Sequence, residues 1–338
     1  TLAATSTATI NATVVAASLA LGGGGTTGVG ASIGIAIAEN LIGYTPDGSA
    51  TPAQVQAYIE NSSLNAQGDL RQTATANQTI NALVFAGSAA IAAGGTTGVA
   101  LSGSGVSATN KIGVDVKAYI DGALPTGLSA DSITLKASDE STINALAGAA
   151  ALAAGFGGTT GVAVSVGVAL ANNTITSEVT AYIANALNGV VTIAGDVTLS
   201  AMETATINAI SSAAALGVGL AGSDGLALSG AGAQAKNKIL TNTNAYLENS
   251  ALTSAGEIDL DAVNASAIDA VIVSAAFSLA IGGNSGIGAS IGAAVAINEI
   301  GDGTENTGQV QAYLENTSVN EGEALTLDAV SNQTINSV

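Results

Sequence analysis

The chain contains no cysteine, no histidine and no tryptophan, and only three prolines among 338 residues. Without cysteine there is no disulfide framework and no thiolate metal site. Without histidine as well, most general-base, nucleophile and transition-metal arrangements are gone. Basic residues are scarce too, six Lys and Arg against 25 Asp and Glu, for a net charge of −19. Nothing could neutralise the phosphates of a nucleic acid or bind an anionic membrane surface. The acidity keeps an apolar chain in solution through self-repulsion. Aromatic residues make up 3% of the chain although hydrophobic residues make up 48%, so the apolar content is mostly Ala, Val, Ile and Leu. Such a chain packs backbones closely; it does not build a core around rings. The apolar runs are short and broken by Gly, Ser and Thr, so none reads as a membrane-spanning helix. No signal peptide is recognisable.

What is present is repetition. Thr-Ile-Asn-Ala stands at residues 9–12, 79–82, 142–145 and 206–209, with degenerate copies at 267–270 and 334–337. Asn-x-Ile recurs at Asn40/Ile42, Asn110/Ile112, Asn173/Ile175, Asn237/Ile239 and Asn298/Ile300. Tyrosines follow at 58, 119, 182, 246 and 313, and a glycine turn precedes at Gly28, Gly98, Gly161, Gly225 and Gly286. The markers keep one order, 61 to 70 residues apart. Five periods are read as 1–70, 71–133, 134–197, 198–258 and 259–338, the last including the start of a further unit, and no polar capping unit is recognised at either end. The sequence thus reads as a piece of a longer array.

Within a unit, Val162–Ala171 alternates large and small residues with a period of two, the signature of a strand. Alanine favours helix intrinsically, but the interior glycines and β-branched alternation favour strand. Just after each tyrosine one position holds Asn61, Gly122, Asn185, Asn249 and Asn316. Exchange between Asn and Gly predicts a left-handed backbone there. The fold class predicted is all-β: tandem repeats of about 64 residues forming a β-solenoid or a rod of stacked β-hairpins. A unit is longer than a simple solenoid turn, so it corresponds to several coils, one wide coil, or a coil bearing a long hairpin. A longer period overlies the first. Ile33, Ile35 and Ile37 correspond to Gly103, Gly105 and Ser107 in the next unit, and the third and fifth units resemble the first. This predicts a two-unit building block with large side chains matched to near-empty positions. Insertions at 43–53 and 301–309 predict a surface loop on one face.

Two acidic columns recur. One is Asp69, Asp131, Asp196, Glu257 and Glu323, at strand entry; the other is Glu60, Asp121, Glu248 and Glu315, with Ala184 in the third unit. Stacked in register about 4.8 Å apart, like charges would cost roughly 1 kcal/mol per neighbour in water. Either calcium bridges the first column or the units are not stacked that closely, and solvated turn charges are the simpler reading because no dense Asp/Asn loop supplies six to eight oxygens. The acidic residues recur with the repeat, whereas a catalytic pair is unique, so no enzyme is expected. The tyrosines are expected to stack, and the asparagines to form amide ladders.

The combination of Gly-Gly-x-x-Gly-Val-Ala, Asn-x-Ile, Ala-Tyr-Ile and Gly-Asp-Val, clearest over residues 157–183 and 195–199, resembles repeats of giant bacterial surface proteins of the filamentous-haemagglutinin-like and large repetitive adhesin kind. The resemblance implies a secreted β-solenoid rod at the cell surface, used in adhesion, aggregation or a surface coat. The expected function is therefore that of an extracellular structural protein whose partners are its own repeats or further copies of itself, or other cells and surfaces. The alternative is a passive stalk for a binding domain outside this sequence.

Overall fold

A computed structural model describes residues 1–187, 191–301 and 308–338, with the side chains of 123–126 and 192 left aside. Among the described residues there is no helix. The chain winds as a parallel β-solenoid with one repeat per coil. Residue pairs such as Tyr119↔Tyr182 and Tyr182↔Tyr246 are direct neighbours across adjacent strands. The rise per repeat is therefore a single strand spacing, seen directly in tyrosine ring separations of 5.0, 4.8, 4.9 and 4.8 Å. Of the three alternatives the sequence left open, the wide coil is the one adopted.

Each coil contributes to three parallel sheets. The first is built of short strands: Leu2–Ser6, Leu70–Ala76, Ile133–Asp139, Val197–Glu203, Ile258–Asn264 and Leu325–Ser331. The second carries the Thr-Ile-Asn strands Thr9–Gly24, Thr79–Gly94, Thr142–Gly157, Thr206–Ala221, Ala267–Ile281 and Thr334–Ser337. After a glycine turn the chain returns along the third sheet, whose central members are Thr97–Ala130, Thr160–Ala184 and Asp224–Glu248. In the first coil this long strand is split into Thr27–Ile42 and Ala53–Asn65 by an insertion. The first and second sheets form one layer and the third sheet covers both. A 16-residue strand is about 50 Å long, so the coil is flat and wide.

The interior changes character along this width. Under the short strands it holds branched residues such as Ile120, Leu135, Ile183 and Leu199, all fully buried. Each such side chain contributes about 1.5–3 kcal/mol by leaving water. Next comes a band of Ile and Ala, with Ile80, Ile143 and Ile207 facing Ile112, Ile175 and Ile239. Towards the glycine turn only Ala and Gly face inward, as at Ala90, Ala92, Ala100, Ala153 and Ala163. There the layers close almost to backbone contact. A Cβ on Gly98 would lie 2.1 Å from the carbonyl oxygen of Phe156, and one on Gly161 2.3 Å from that of Leu220. The fold is a wedge: a thick base with a large-residue core, tapering to a thin blade lined with Gly, Ala and Ser. The small residues are thus buried between the two layers of the wedge. The repeats themselves meet through backbone ladders.

The corner after each tyrosine has the backbone its residues predicted, with φ of 45° at Asn61, 69° at Gly122, 56° at Asn185, 45° at Asn249 and 49° at Asn316. The first insertion is a surface strap. Tyr44 pairs with Ala50 in an isolated antiparallel bridge, its ring lies over Gly113 of the second coil, and its hydroxyl donates to Thr176 Oγ1 of the third at 2.9 Å. Lys111 sits 5.2 Å from the centre of the same ring. Most of the second insertion, 302–307, lies outside the described residues.

Candidate functional surfaces

Three side-chain columns tie the coils together along the axis. Asn40 Nδ2 donates to Asn110 Oδ1, Asn110 to Asn173, Asn173 to Asn237 and Asn237 to Asn298, at 2.7–2.8 Å. The ladder is buried through its middle, so each amide satisfies its neighbour where water could not. The Thr-Ile-Asn asparagines form a second ladder on the outer face with the donors pointing the other way: Asn81 to Asn11, Asn144 to Asn81 and Asn208 to Asn144. Asp269 interrupts it and accepts from Asn336 instead. The tyrosines form the third column, five rings within 8° of parallel between neighbours. Burial in the stack, assisted by carboxylates such as Asp121, holds the phenols of Tyr119 and Tyr182 above their ordinary range.

The first acidic column does not align as its spacing suggested. Leu70 pairs with Ile133, Ile133 with Val197, Val197 with Ile258 and Ile258 with Leu325. The residues preceding these are Asp69, Ser132, Asp196, Glu257 and Ala324, so Asp131 and Glu323 fall one place short. Ser132 stands between Asp69 and Asp196 and donates its hydroxyl to Asp69 at 2.6 Å, while the Glu257 amide donates to Asp196 Oδ1 at 3.0 Å. The row of stacked like charges is therefore broken by a serine and an alanine, which leaves Asp196 beside Glu257 and lessens the repulsion along the column. Among the described residues no group of three or more acidic side chains is placed to hold a metal ion. The second column does align, Glu60 with Asp121 and Glu248 with Glu315, interrupted by Ala184. It lies at the exposed post-tyrosine corner, where charges remain solvated.

No family model, curated protein or solved structure matches the chain.

One buried cluster was not visible in the sequence. At the corner where the first sheet runs into the second, Asp139 and Glu203 are direct neighbours, both turned inward and fully buried. Asp139 Oδ1 accepts the Ser141 hydroxyl at 2.5 Å and the Ser141 amide at 3.1 Å. Glu203 accepts the Ser177 hydroxyl at 2.5 Å and the Ala205 amide at 2.9 Å. Burial raises the Asp139 carboxyl to about 6. Burial, then the adjacent Asp139, raises Glu203 well above the usual carboxylate range. The next coil places Asn264 in register with Glu203 and keeps the same pattern: Asn264 Oδ1 accepts from Ser266, and Nδ2 donates to Thr241 at 2.9 Å. The position is thus a corner cap, and a neutral amide serves it. Both carboxyls are closed off from solvent, and Asp139 Oδ2 has no hydrogen-bond partner among the described residues.

The outer faces carry the other feature that the sequence did not reveal. On the base they are polar, with inter-coil ion pairs Lys117–Glu178 at 2.8 Å and Lys238–Glu299 at 2.7 Å. On the blade both are apolar. Leu83, Phe85, Phe156, Leu216 and Phe277 point outward from the second sheet, and Ile35, Leu101, Val166, Val168 and Leu228 from the third. Even in the central coil Val166 is 45% and Val168 37% exposed. Alternation in the sequence identifies two faces of a strand but not which is buried, and here the smaller residues take the interior.

Proposed function

We propose that the protein is a structural element of an extracellular fibre, filament or surface coat, whose work is assembly through its own repeats. The observation that carries this reading is the strict register of equivalent residues from coil to coil, with two amide ladders and a tyrosine stack running along the axis. A coil of this kind adds to an exposed edge with the same hydrogen bonds that join existing coils. The acidic, cysteine-free composition suits an exported surface protein, as does the resemblance to giant adhesin repeats. Catalysis has no part in the proposal, since the buried carboxyl pair is sealed in a corner.

Negative-stain microscopy of the purified chain at dilute concentration tests the reading. Filaments much longer than five coils, with fibre diffraction at the strand spacing along their length, are expected. Isolated rods that never lengthen would favour the passive stalk of an adhesin instead.

A further inference from the structure

The glycines of the blade fall into two groups. Gly28, Gly98 and Gly161 face the opposite layer, where a Cβ would collide with a carbonyl oxygen at 2.1–2.3 Å. Gly103, Gly105, Gly230 and Gly232 face outward on the third sheet, and a Cβ at any of them would meet nothing within 4 Å. The solenoid itself does not need glycine there, and glycine inside a strand weakens it. These glycines belong to the second and fourth coils. The position of Gly103 and Gly230 holds Ile33, Val166 and Ile291 in the first, third and fifth coils, that of Gly105 and Gly232 holds Ile35, Val168 and Ala293, and two residues on Ile37, Leu170 and Val295 stand against Ser107 and Gln234. The face is therefore corrugated, with apolar ridges about 9.6 Å apart, twice the strand spacing, separated by open furrows.

The second sheet offers a contrast. One of its outward glycines, Gly148, is covered by a ring of the same chain, because a Cβ there would lie 2.2 Å from Phe85 Cε1. Gly87 on that face stands open, with only the Ala16 carbonyl oxygen at 4.0 Å, but it is a single residue, whereas the glycines of the third sheet come in pairs on alternate coils.

We propose that the third-sheet face of the blade is a lateral interface with a second copy of this chain, the ridges of each copy seated in the furrows of the other. This rests on the assembly reading above and names the surface used for side-by-side association. The coil order is ridge, furrow, ridge, furrow, ridge. A two-fold axis lying in the interface plane, parallel to the strands, reverses that order, and a shift of one coil then sets the first coil on the partner's fourth and the second on the partner's third. Every overlapping ridge meets a furrow, and the contact is isologous, as closed dimers require. Val168 lies over Gly105 of the partner subunit, and Ile35 over the partner's Gly232. Four overlapping coils and nine residues of strand give about 30 by 19 Å, roughly 1,200 Å² buried over both partners, the lower limit of a stable interface. The Tyr44 strap bounds the face on its polar side.

Sedimentation velocity of the full chain tests this over a range of concentration and salt. The expected result is a dimer that strengthens with salt, because a net charge of −19 on each copy opposes association. Gly105→Val fills a furrow without clashing with the fold and should weaken the dimer at least about tenfold, with a thermal midpoint no lower than that of the native chain. The double variant Gly105→Val/Val168→Gly exchanges ridge and furrow and should restore it. A native chain that stays monomeric throughout, a Gly105→Val variant that dimerises as well as the native chain, or a native chain that leaves self-association to bind phosphatidylcholine vesicles would each overturn the assignment. Filament lengthening by Gly105→Val in the microscope separates the two ideas. If filaments persist while the dimer is lost, both stand; if they persist and the dimer is insensitive to all variants, only the lateral interface falls.

Discussion

Removing the buried carboxyls at the corner should stabilise the protein at neutral pH and flatten its pH dependence. Asp139 and Glu203 hold their protons more tightly folded than unfolded, because the folded chain denies their charged forms water. The folded state therefore binds more protons than the unfolded state above pH 4. Stability is greatest below the unfolded carboxylate range and falls as pH rises towards the folded values. For Asp139 the interval runs from 3.8 to about 6, which corresponds to about 3 kcal/mol lost once the group has ionised. Glu203 adds to the loss in the same direction. Glu203→Gln keeps both contacts, its carbonyl accepting from the Ala205 amide and its amino group donating to Ser177 Oγ. Asp139→Asn reproduces what Asn264 already does one coil from Glu203. Val114 occupies the place that Ser177 and Thr241 hold in the coils that follow, so a new amide at 139 gains less there than Asn264 does. Urea midpoints of the native chain and of the double variant, measured from pH 4 to pH 8, provide the assay. The curves should converge near pH 4 and separate as pH rises, the variant being more stable by about 3 kcal/mol or more at pH 7. Repulsion among the surface acids acts on both proteins alike and cancels in the difference. Parallel curves, or a native protein that gains on the variant with rising pH, would refute the reasoning.

Three further outcomes follow from the interior. Gln72 is fully buried on the inner face of the first sheet between Leu2 and Leu135, and neither of its amide atoms has a hydrogen-bond partner among the described residues. Gln72→Leu should raise stability by about 1–3 kcal/mol, read as a higher urea midpoint. Asn110→Ala breaks the buried ladder twice, leaving the Asn40 amide donor and the Asn173 carbonyl unpaired, and should cost about 2–5 kcal/mol by the same measurement. Gly161→Ala forces a Cβ against the Leu220 carbonyl oxygen and should cost about 1–3 kcal/mol, whereas Gly105→Ala, facing open space, should be neutral or stabilising.

The repeat, the strands, the left-handed corner and both amide ladders were legible because each depends on local chemistry or on position within the period. Asn61 and Gly122 exchange where φ is positive, and Asn110 and Asn173 fall at equivalent places in consecutive units. The alternation of Ile35 and Gly105 was legible as well, but its location was not. The sequence specifies two faces of each strand, and the usual assignment puts the large one inside. The blade reverses it because Gly28, Gly34, Ala36 and Ala38 let the second layer approach too closely for anything larger. The column of Asp69, Asp131 and Asp196 misled by one residue, since unit lengths differ and the turn before the short strand absorbs the difference. Asp139 and Glu203 gave no signal because they resemble any other acid near a turn; their burial comes only from the fold of the corner.

The thin interior and the apolar exterior are two consequences of one choice of side chains. Alanine and glycine remove little apolar area from water per residue, so a blade filled with them gains less from its core than the base gains from Ile and Leu. Its cohesion comes from backbone ladders within each layer, which are indifferent to what the outer face carries. Large residues placed outside therefore do not stabilise a single copy, and on a free surface of this extent they would promote association. Their value lies in contact with something else, and their period decides what that is. A lipid surface would be served by continuous Ile and Val and would leave the sheet edges without hydrogen-bond partners. Rows of glycine inserted at every second coil favour an occupant that has rows of its own at the same spacing, and the chain that carries such rows is this one.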